Sequence, residues 1–497
     1  MKKFVPLLIP LFIFLLTLIV SGYFSTINTD PHHDGIVLKP AIDIAEGRML
    51  FRDTFTQYGA FTTVIQALAI KIFGEYLITI KLLTAFFYGL ISVLIYFIWS
   101  RFLSKKLAIL SLFIWLSLAP YLSVVFLPWS SVYALFFQCL TLYLILKYLD
   151  TNNKKALLLA GICAGLAFWS KQNVGAYTIT ASLVSIALIQ ILSKKKISTL
   201  FPILIRYLIG STLVSLPIMF WIIGNGAFND WRKQSISFAL FWAESSKLHI
   251  FNHFFPRSIS NISIWSLIPI VTMIAFLREF FGKKPNLIIL VVSIFGLFSW
   301  LQYFPIPDIR HVHWAATPMI GITIYIFFKL AESINNKNIA IKYLIFIFFI
   351  VLIFARDLHF GIKSGFIKAS KQYKSLDSPP VLKGMKLSAA EYGFYKKTYE
   401  DIIKYQNIHR KTNLITTGRN ALYLTFIKSE NFHPIYVNWE MMNESLIYPE
   451  YLSKMNEYIT NNKPLIIAIK KPLPLGYCRL NNLVNAEDFA FLIAPCK

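Results

Sequence analysis

Residues 30–59 open with Asp30-Pro31-His32-His33-Asp34-Gly35 and close with Arg52-Asp53-Thr54-Phe55-Thr56-Gln57-Tyr58-Gly59. This is the most polar stretch in the first three hundred residues, and it follows an apolar segment at residues 4–20 that is preceded by Lys2 and Lys3. Ser21-Gly22-Tyr23-Phe24 offers no small-x-small cleavage site, so the segment reads as an uncleaved first helix. The polar stretch then lies in a first outward loop, residues 21–76.

The rest of the chain fixes the class. Of 497 residues, 56% are hydrophobic, 16% aromatic and 15% charged, against the roughly 25% charged residues of soluble domains. Apolar runs near the roughly 20 residues needed to cross a bilayer recur, at 4–20, 77–99, 107–127, 130–148, 156–170, 174–192, 201–223, 259–277, 286–303, 314–330 and 342–355. The expected fold is a polytopic α-helical membrane protein of about eleven spans. The formal charge of +25 does not indicate nucleic acid, because Lys and Arg gather between the spans rather than on a soluble module. They mark loops 101–106, 147–155, 194–206, 278–284 and 329–342 as internal. This places the N-terminus in the cytoplasm of a plasma (inner) membrane protein and the C-terminal segment outside.

Inside the first loop, Pro40 and Gly47 bracket one expected amphipathic helix, with Lys39, Asp43 and Glu46 opposite Leu38, Ala41, Ile42 and Ala45. A second spans about 61–73 with Gly74 as its stop. Both are expected to lie along the lipid surface. From residue 357 the composition becomes that of a soluble segment. Helices near 390–408, 420–428 and 449–460 alternate with strands near 413–416, 434–438, 464–469 and 489–494, an expected extracytoplasmic α/β domain, 357–497, beside a membrane domain, 1–356. Cys139 and Cys163 fall in apolar runs, leaving Cys478 and Cys496 as the pair able to form a disulfide.

Half of the carboxylates before residue 357 lie in the first loop. Asp34, in His33-Asp34-Gly35, is the leading candidate. A carboxylate just outside the bilayer can take a proton from an attacking group or bind a divalent cation that neutralises a phosphate. If a metal such as Mg or Mn is bound, Asp34 and His33 are its expected ligands, and a helix-capping turn is the alternative for the triplet. Lys171, followed by Gln172, places positive charge in a short outer turn, where topology disfavours it. Arg310, with His311 and His313, sits in another such turn and suits phosphate binding. Snorkelling to the interface is the alternative for both cations.

The loop, with Asp34-Gly35, then Glu46-Gly47, Arg52-Asp53 and Gln57-Tyr58-Gly59, resembles that of the GT-C superfamily of integral-membrane glycosyltransferases. That superfamily includes the protein O-mannosyltransferases and the transferase that adds aminoarabinose to lipid A. The resemblance implies transfer of a sugar from a polyprenyl-phosphate donor to a lipid, glycan or protein acceptor on the outer face. Asp34 matches the family's acidic residue. Asp53 is the expected second carboxylate, because the turn Pro128-Trp129-Ser130-Ser131 carries none. Lys171, Gln172, Arg310, His311 and His313 are expected to hold the donor phosphate, and His32, His33, Gln57, Tyr58, Trp242 and Glu244 to contact substrate. A lipid-activated donor requires no nucleotide fold, and neither a P-loop nor a dinucleotide fingerprint occurs. The rival class is a flippase of lipid-linked glycans, which needs ionisable groups along the middle of several spans. A non-catalytic scaffold leaves the acidic loop unexplained.

Overall fold

The computed structural model describes residues 5–245, 264–303, 308–334, 338–409, 414–417, 421–428, 449–469, 476–484 and 489–495. The helices that build the membrane-type body are α1 (Val5–Ser25), α4 (Leu77–Trp99), α5 (Lys105–Ser117), α6 (Ser130–Thr151), α7 (Lys154–Ser170), α8 (Gln172–Leu192) and α9 (Leu200–Gly224). Helices Ile264–Phe280, Leu287–Trp300, Ile309–Ala316, Ile320–Ser333 and Ile339–Ser370 follow. Each of the eleven expected span positions holds a helix. Seven helical segments among the described residues are long and apolar enough to cross a membrane. The helices at the expected 107–127, 156–170, 259–277 and 286–303 spans are shorter, at 13, 17, 17 and 14 residues. The first of these stops at Ser117 because Pro120 opens a 3-10 turn and cannot continue the helix.

Outward apolar side chains such as Phe12 and Ile19 on α1, Phe201 and Phe220 on α9, and Leu344 and Phe348 on Ile339–Ser370 are exposed. The interior instead holds large rings, among them Trp99, Trp115 and Trp314. That inversion is expected of a bundle whose solvent is hydrocarbon.

Helix α2 (Gly35–Ala45) departs from expectation. It begins at Gly35 rather than at Pro40, which lies inside it, and Gly35 to Asp43 are all buried. It is therefore an internal element, not one lying on lipid. Its polar face is neutralised by an ion pair between Lys39 and Asp43, by Thr54 Oγ1 donating to Asp43 at 2.7 Å and by Arg48 at 3.5 Å. Helix α3 (Ala60–Phe73) does carry an exposed apolar stripe, Val64, Leu68 and Ile72. Its other face is small and polar, and Gln66 on that face donates to the Pro128 carbonyl at 2.8 Å, fixing the turn before α6.

The Ile339–Ser370 helix runs unbroken across residue 357. Short strands β1 (Lys374–Ser375) and β2 (Lys386–Leu387) then pair antiparallel, and Lys386 exchanges backbone hydrogen bonds with Thr26 and Asn28 at the start of the first loop. Beyond helix Ala389–His409 a four-stranded sheet forms in the order β3-β4-β6-β5. Its strands are β3 (Leu414–Thr417), β4 (Leu465–Ile469), β5 (Tyr477–Val484) and β6 (Phe489–Pro495). The β3–β4 pair is parallel and the other two are antiparallel. Strand β5 was not expected, since Asn481-Asn482 carries little strand propensity. The expected helix at 420–428 is a 3-10 turn, Ala421–Thr425, and the expected strand at 434–438 lies outside the described residues. Helix Pro449–Asn462 matches its expectation. Cys139 and Cys163 are free and Cys478 is disulfide-bonded. Cys496 lies outside the described residues.

Candidate active site

The site is built from the turn that starts α2. Asp30 Oδ1 accepts the backbone N–H groups of His32 and His33 at 3.0 and 2.8 Å, and its other oxygen lies 2.9 Å from His33 Nδ1. Burial raises the Asp30 carboxyl, but the His33 hydrogen bonds and charge outweigh it and hold it well below its ordinary value. Asp34 Oδ2 in turn accepts the Asp30 N–H at 2.9 Å. Gly35 is required here. A Cβ would lie 2.0 Å from the Leu422 nitrogen, and that nitrogen donates to the Pro31 carbonyl at 2.9 Å. Through this contact the Ala421–Thr425 turn closes over the loop.

Asp34 is fully buried, and Lys81 Nζ, equally buried, stands 2.9 Å from its Oδ2. Lys81 also donates to the Asn28 carbonyl at 3.2 Å. The other oxygen, Asp34 Oδ1, is buried with no hydrogen-bond partner among the described residues. Burial, opposed by Lys81, raises the Asp34 carboxyl to about 6. A carboxylate with one anchored and one unoccupied oxygen, and a pKa near neutrality, is equipped to take a proton.

Trp129, at the start of α6, forms the next wall. His33 meets its ring at 4.9 Å, His311 stacks on it at 5.2 Å, and the Arg310 guanidinium lies 5.7 Å above it. Arg310 pairs with Asp308 at 3.2 Å, while its Nε is buried with no partner among the described residues. Lys368 donates to the Tyr121 and Val124 carbonyls at 3.1 and 3.0 Å and lies within charge–charge range of Lys81 and Arg310. Two residues beyond Trp129, Ser131 Oγ accepts from Lys171 Nζ at 2.8 Å. Burial brings the Lys171 ammonium down to about 7.

The Gln57-Tyr58-Gly59 motif packs against the same α7–α8 turn. Gly59 N–H donates to the Ser170 carbonyl at 3.2 Å, and Gln57 Nε2 donates to Tyr58 OH at 2.7 Å. A Cβ on Gly59 would sit 2.0 Å from the Trp169 carbonyl oxygen. Gly59→Ala must therefore push the loop off the Lys171 turn, an overpacking cost of about 1–3 kcal/mol. The expected result is a lower melting temperature of the purified chain in detergent, and an unchanged melting curve contradicts the close packing.

Contacts through Trp129 thus bring together His33, His311 and Arg310, and Asp34 joins through Asp30, which holds both its own N–H on Asp34 and its carboxylate on His33. His32 joins through its ring contact with His33 at 4.8 Å, and Lys171 through Ser131. Gln172 follows Lys171, with its buried Nε2 unpartnered among the described residues. Other expected residues are engaged with other partners. Asp53 sits beside Arg52, whose Nε and Nη2 donate to it at 2.7 and 2.9 Å, and it also accepts the Met49 N–H at 2.8 Å. That fork keeps its carboxyl below the ordinary value. His313 faces the core, stacked on Trp115 at 5.4 Å with Nε2 3.0 Å from the Trp115 carbonyl. Glu244 is exposed on helix Phe238–Ser245, and the Trp242 side chain lies outside the described residues. Lys81, Trp129 and Lys368 were not anticipated from the sequence. The available signal for Lys81 was a lone ammonium inside an apolar span, which marks function more often than not.

The residues do not fit a divalent cation at Asp34 and His33. Asp34 has one oxygen on an ammonium, His33 has Nδ1 on Asp30, and Lys81 already supplies the positive charge. Among the described residues no group of three or more His, Cys, Asp or Glu could hold a metal ion.

Among solved structures the chain is similar to the crystal structure of ArnT from Cupriavidus metallidurans bound to undecaprenyl phosphate. The TM-score is 0.55 at 9% identity, covering 99% of this chain and 98% of that one. The chain shares the fold of that ArnT. The apo state of the same ArnT matches at TM-score 0.55 and 10% identity, over 97% of each chain. The Archaeoglobus fulgidus oligosaccharyltransferase complex with Zn and sulfate, at TM-score 0.48, 10% identity and coverage of 92% and 68%, is too distant to bear on the site. The family model for dolichyl-phosphate-mannose-protein mannosyltransferase matches residues 60–221, from α3 to α9. That segment contains Lys81, Trp129 and Lys171 but not Asp34. Among curated proteins no sequence matches the chain.

Proposed function

We propose that the chain is a membrane glycosyltransferase that moves a sugar from a polyprenyl-phosphate donor to a lipid, glycan or protein acceptor at the outer face of the plasma membrane. The observation that carries this is the buried Asp34–Lys81 pair, with Asp34 Oδ1 unoccupied, together with Lys368 in charge range of Lys81 and Arg310 and Lys171 held on Ser131 at the start of α6. A buried group of cations that outnumbers its carboxylates calls for an anionic ligand, and the phosphodiester of a lipid-linked sugar meets that need. ArnT, whose fold the chain shares, was crystallised with undecaprenyl phosphate, which supports the same donor class here.

In this reading the acceptor O–H gives its proton to Asp34 Oδ1 as its oxygen bonds to the anomeric carbon. The anomeric C–O bond to phosphate breaks, and its electron pair stays on the leaving polyprenyl phosphate. Lys81, Arg310 and Lys171 stabilise the charge that develops there. His33 and His311 flank Trp129 on the substrate side. Lys and Arg placement supports a cytoplasmic N-terminus and an extracytoplasmic segment after about residue 357, whose Ala421–Thr425 turn covers the Asp34 loop.

The test is transfer of label from a panel of radiolabelled polyprenyl-phosphate sugars into a membrane-lipid extract, with and without EDTA. Transfer from one donor, unaffected by EDTA, is the expected result. A folded chain inactive with every donor overturns the reading. The pH profile adds a second check. The acid limb of kcat/KM should fall as Asp34 takes a proton near about 6, and donor affinity should weaken as pH rises past the Lys171 value of about 7. A profile flat through both regions contradicts the assignment of charge-bearing roles to these two groups.

A further inference from the structure

A cavity of about 410 Å³ opens between the second half of α2, the turn before α4, the Pro380–Leu382 turn and residues 424–428. None of the residues assigned to donor or proton transfer lines it. It is nevertheless tied to Asp34 by two shared elements. Lys39, on its wall, lies five residues along α2 from Asp34, about 7.5 Å at the helical rise. The 421–428 segment that covers Gly35 continues directly into its opposite wall.

The lining defines the ligand. Lys39, with its side chain 5% exposed, pairs with Asp43 behind the wall. Arg48 lies 3.5 Å from Asp43 and 3.9 Å from Glu46. At the mouth Lys428, 80% exposed, bridges Glu46 at 3.3 Å and Glu75 at 4.0 Å. Three cations thus face three carboxylates, and an ionic ligand would have to displace one of them from its partner. A neutral polyhydroxylated ligand need not, because ionised side chains make strong hydrogen bonds to hydroxyls. Tyr76 supplies an aromatic surface for a sugar face. The exposed apolar stripe of α3 ends at Gly74, the residue before Glu75, so the mouth lies where a lipid-facing surface gives way to a polar one.

We propose that this cavity is the acceptor subsite and takes the neutral glycan head of a membrane-anchored acceptor. The assignment of the glycan as acceptor rests on the glycosyltransferase reading above, whereas its binding does not. The test uses the purified full chain in detergent, with cellobiose, maltose and chitobiose as probes in saturation-transfer NMR. Ring-proton saturation is expected for at least one disaccharide. It should be lost in Ile427→Trp, which fills the cavity, and weakened in Lys428→Gln at its exposed mouth. Binding of undecaprenyl phosphate should be unchanged in both. In the transfer assay Ile427→Trp should raise the half-saturating extract concentration about tenfold, the equivalent of losing about one or two hydrogen bonds, at unchanged donor KM.

Saturation that is absent from the wild type, or equal in wild type and Ile427→Trp, overturns the site. Displacement of the disaccharide by inorganic phosphate overturns its neutral class, and donor KM rising in parallel with the acceptor requirement overturns its separation from the donor. Disaccharide binding that Ile427→Trp abolishes, in a chain inactive with every donor, sinks the glycosyl-transfer reading while leaving the glycan site standing.

Discussion

Asp34→Asn is expected to lower kcat by about 10²–10⁴-fold, the range removed with a general base, while undecaprenyl phosphate binds at least as tightly as to the wild type. The two readouts move apart for a physical reason. The amide keeps an oxygen to accept the Asp30 N–H, which Asp34 Oδ2 holds at 2.9 Å, and can still accept from Lys81. It cannot take a proton from an acceptor hydroxyl. Removing one negative charge from beside Lys81, which is itself in charge range of Lys368, also leaves the pocket more favourable to a phosphate. Transfer measured per folded molecule, together with lipid-phosphate binding by the same preparation, distinguishes this from damage to the fold, which would reduce both. The residual activity should also lose its acid limb, because the group that titrates near about 6 is gone. Wild-type kcat in the variant would remove Asp34 from the chemistry, and parallel loss of transfer and binding would reduce it to a structural residue.

The class of the protein and the positions of its helices were legible in the sequence because apolar runs of bilayer length have few other uses. The first loop was legible for the complementary reason, since a dense patch of charge between two apolar segments has to be neutralised or used. What could not be read were the partnerships that only folding creates. Asp34 and Asp53 both read as candidate carboxylates in the sequence, yet Arg52 folds back onto Asp53, while Asp34 is buried against a residue forty-seven positions away. Lys81, a single charge in an apolar run, was not singled out at all. Pro40 read as a helix start, although α2 already begins at Gly35, and the buried character of that helix depends on the Ala421–Thr425 turn nearly four hundred residues later. The break at residue 357 was a change in polarity, to which helix geometry is indifferent, so the last long helix continues to Ser370.

Lys81→Met is expected to abolish detectable transfer and, unlike Asp34→Asn, to weaken undecaprenyl phosphate binding as well. Removing one member of a fully buried ion pair leaves the other uncompensated, at a cost of about 3–5 kcal/mol. Here Asp34 can limit that cost by keeping a proton. Its carboxyl already stands at about 6 in the presence of Lys81, which holds it down, so without Lys81 it rises further above the unfolded carboxylate value. A group whose folded pKa exceeds its unfolded one contributes stability at low pH that is lost as pH rises through the folded value. The Lys81→Met chain should therefore keep a nearly constant melting deficit below about 6 and melt increasingly early, relative to wild type, as pH is raised past about 6, where the wild-type carboxyl ionises beside Lys81. Adding Asp34→Asn should recover much of the melting temperature at neutral pH, because no buried charge is then left alone. It should recover none of the transfer. A pH-independent melting deficit in Lys81→Met, or a double variant no more stable than that single one, would show that Lys81 does not hold the Asp34 charge in the folded protein. The anionic site would then have to be rebuilt around Arg310 and Lys171 alone.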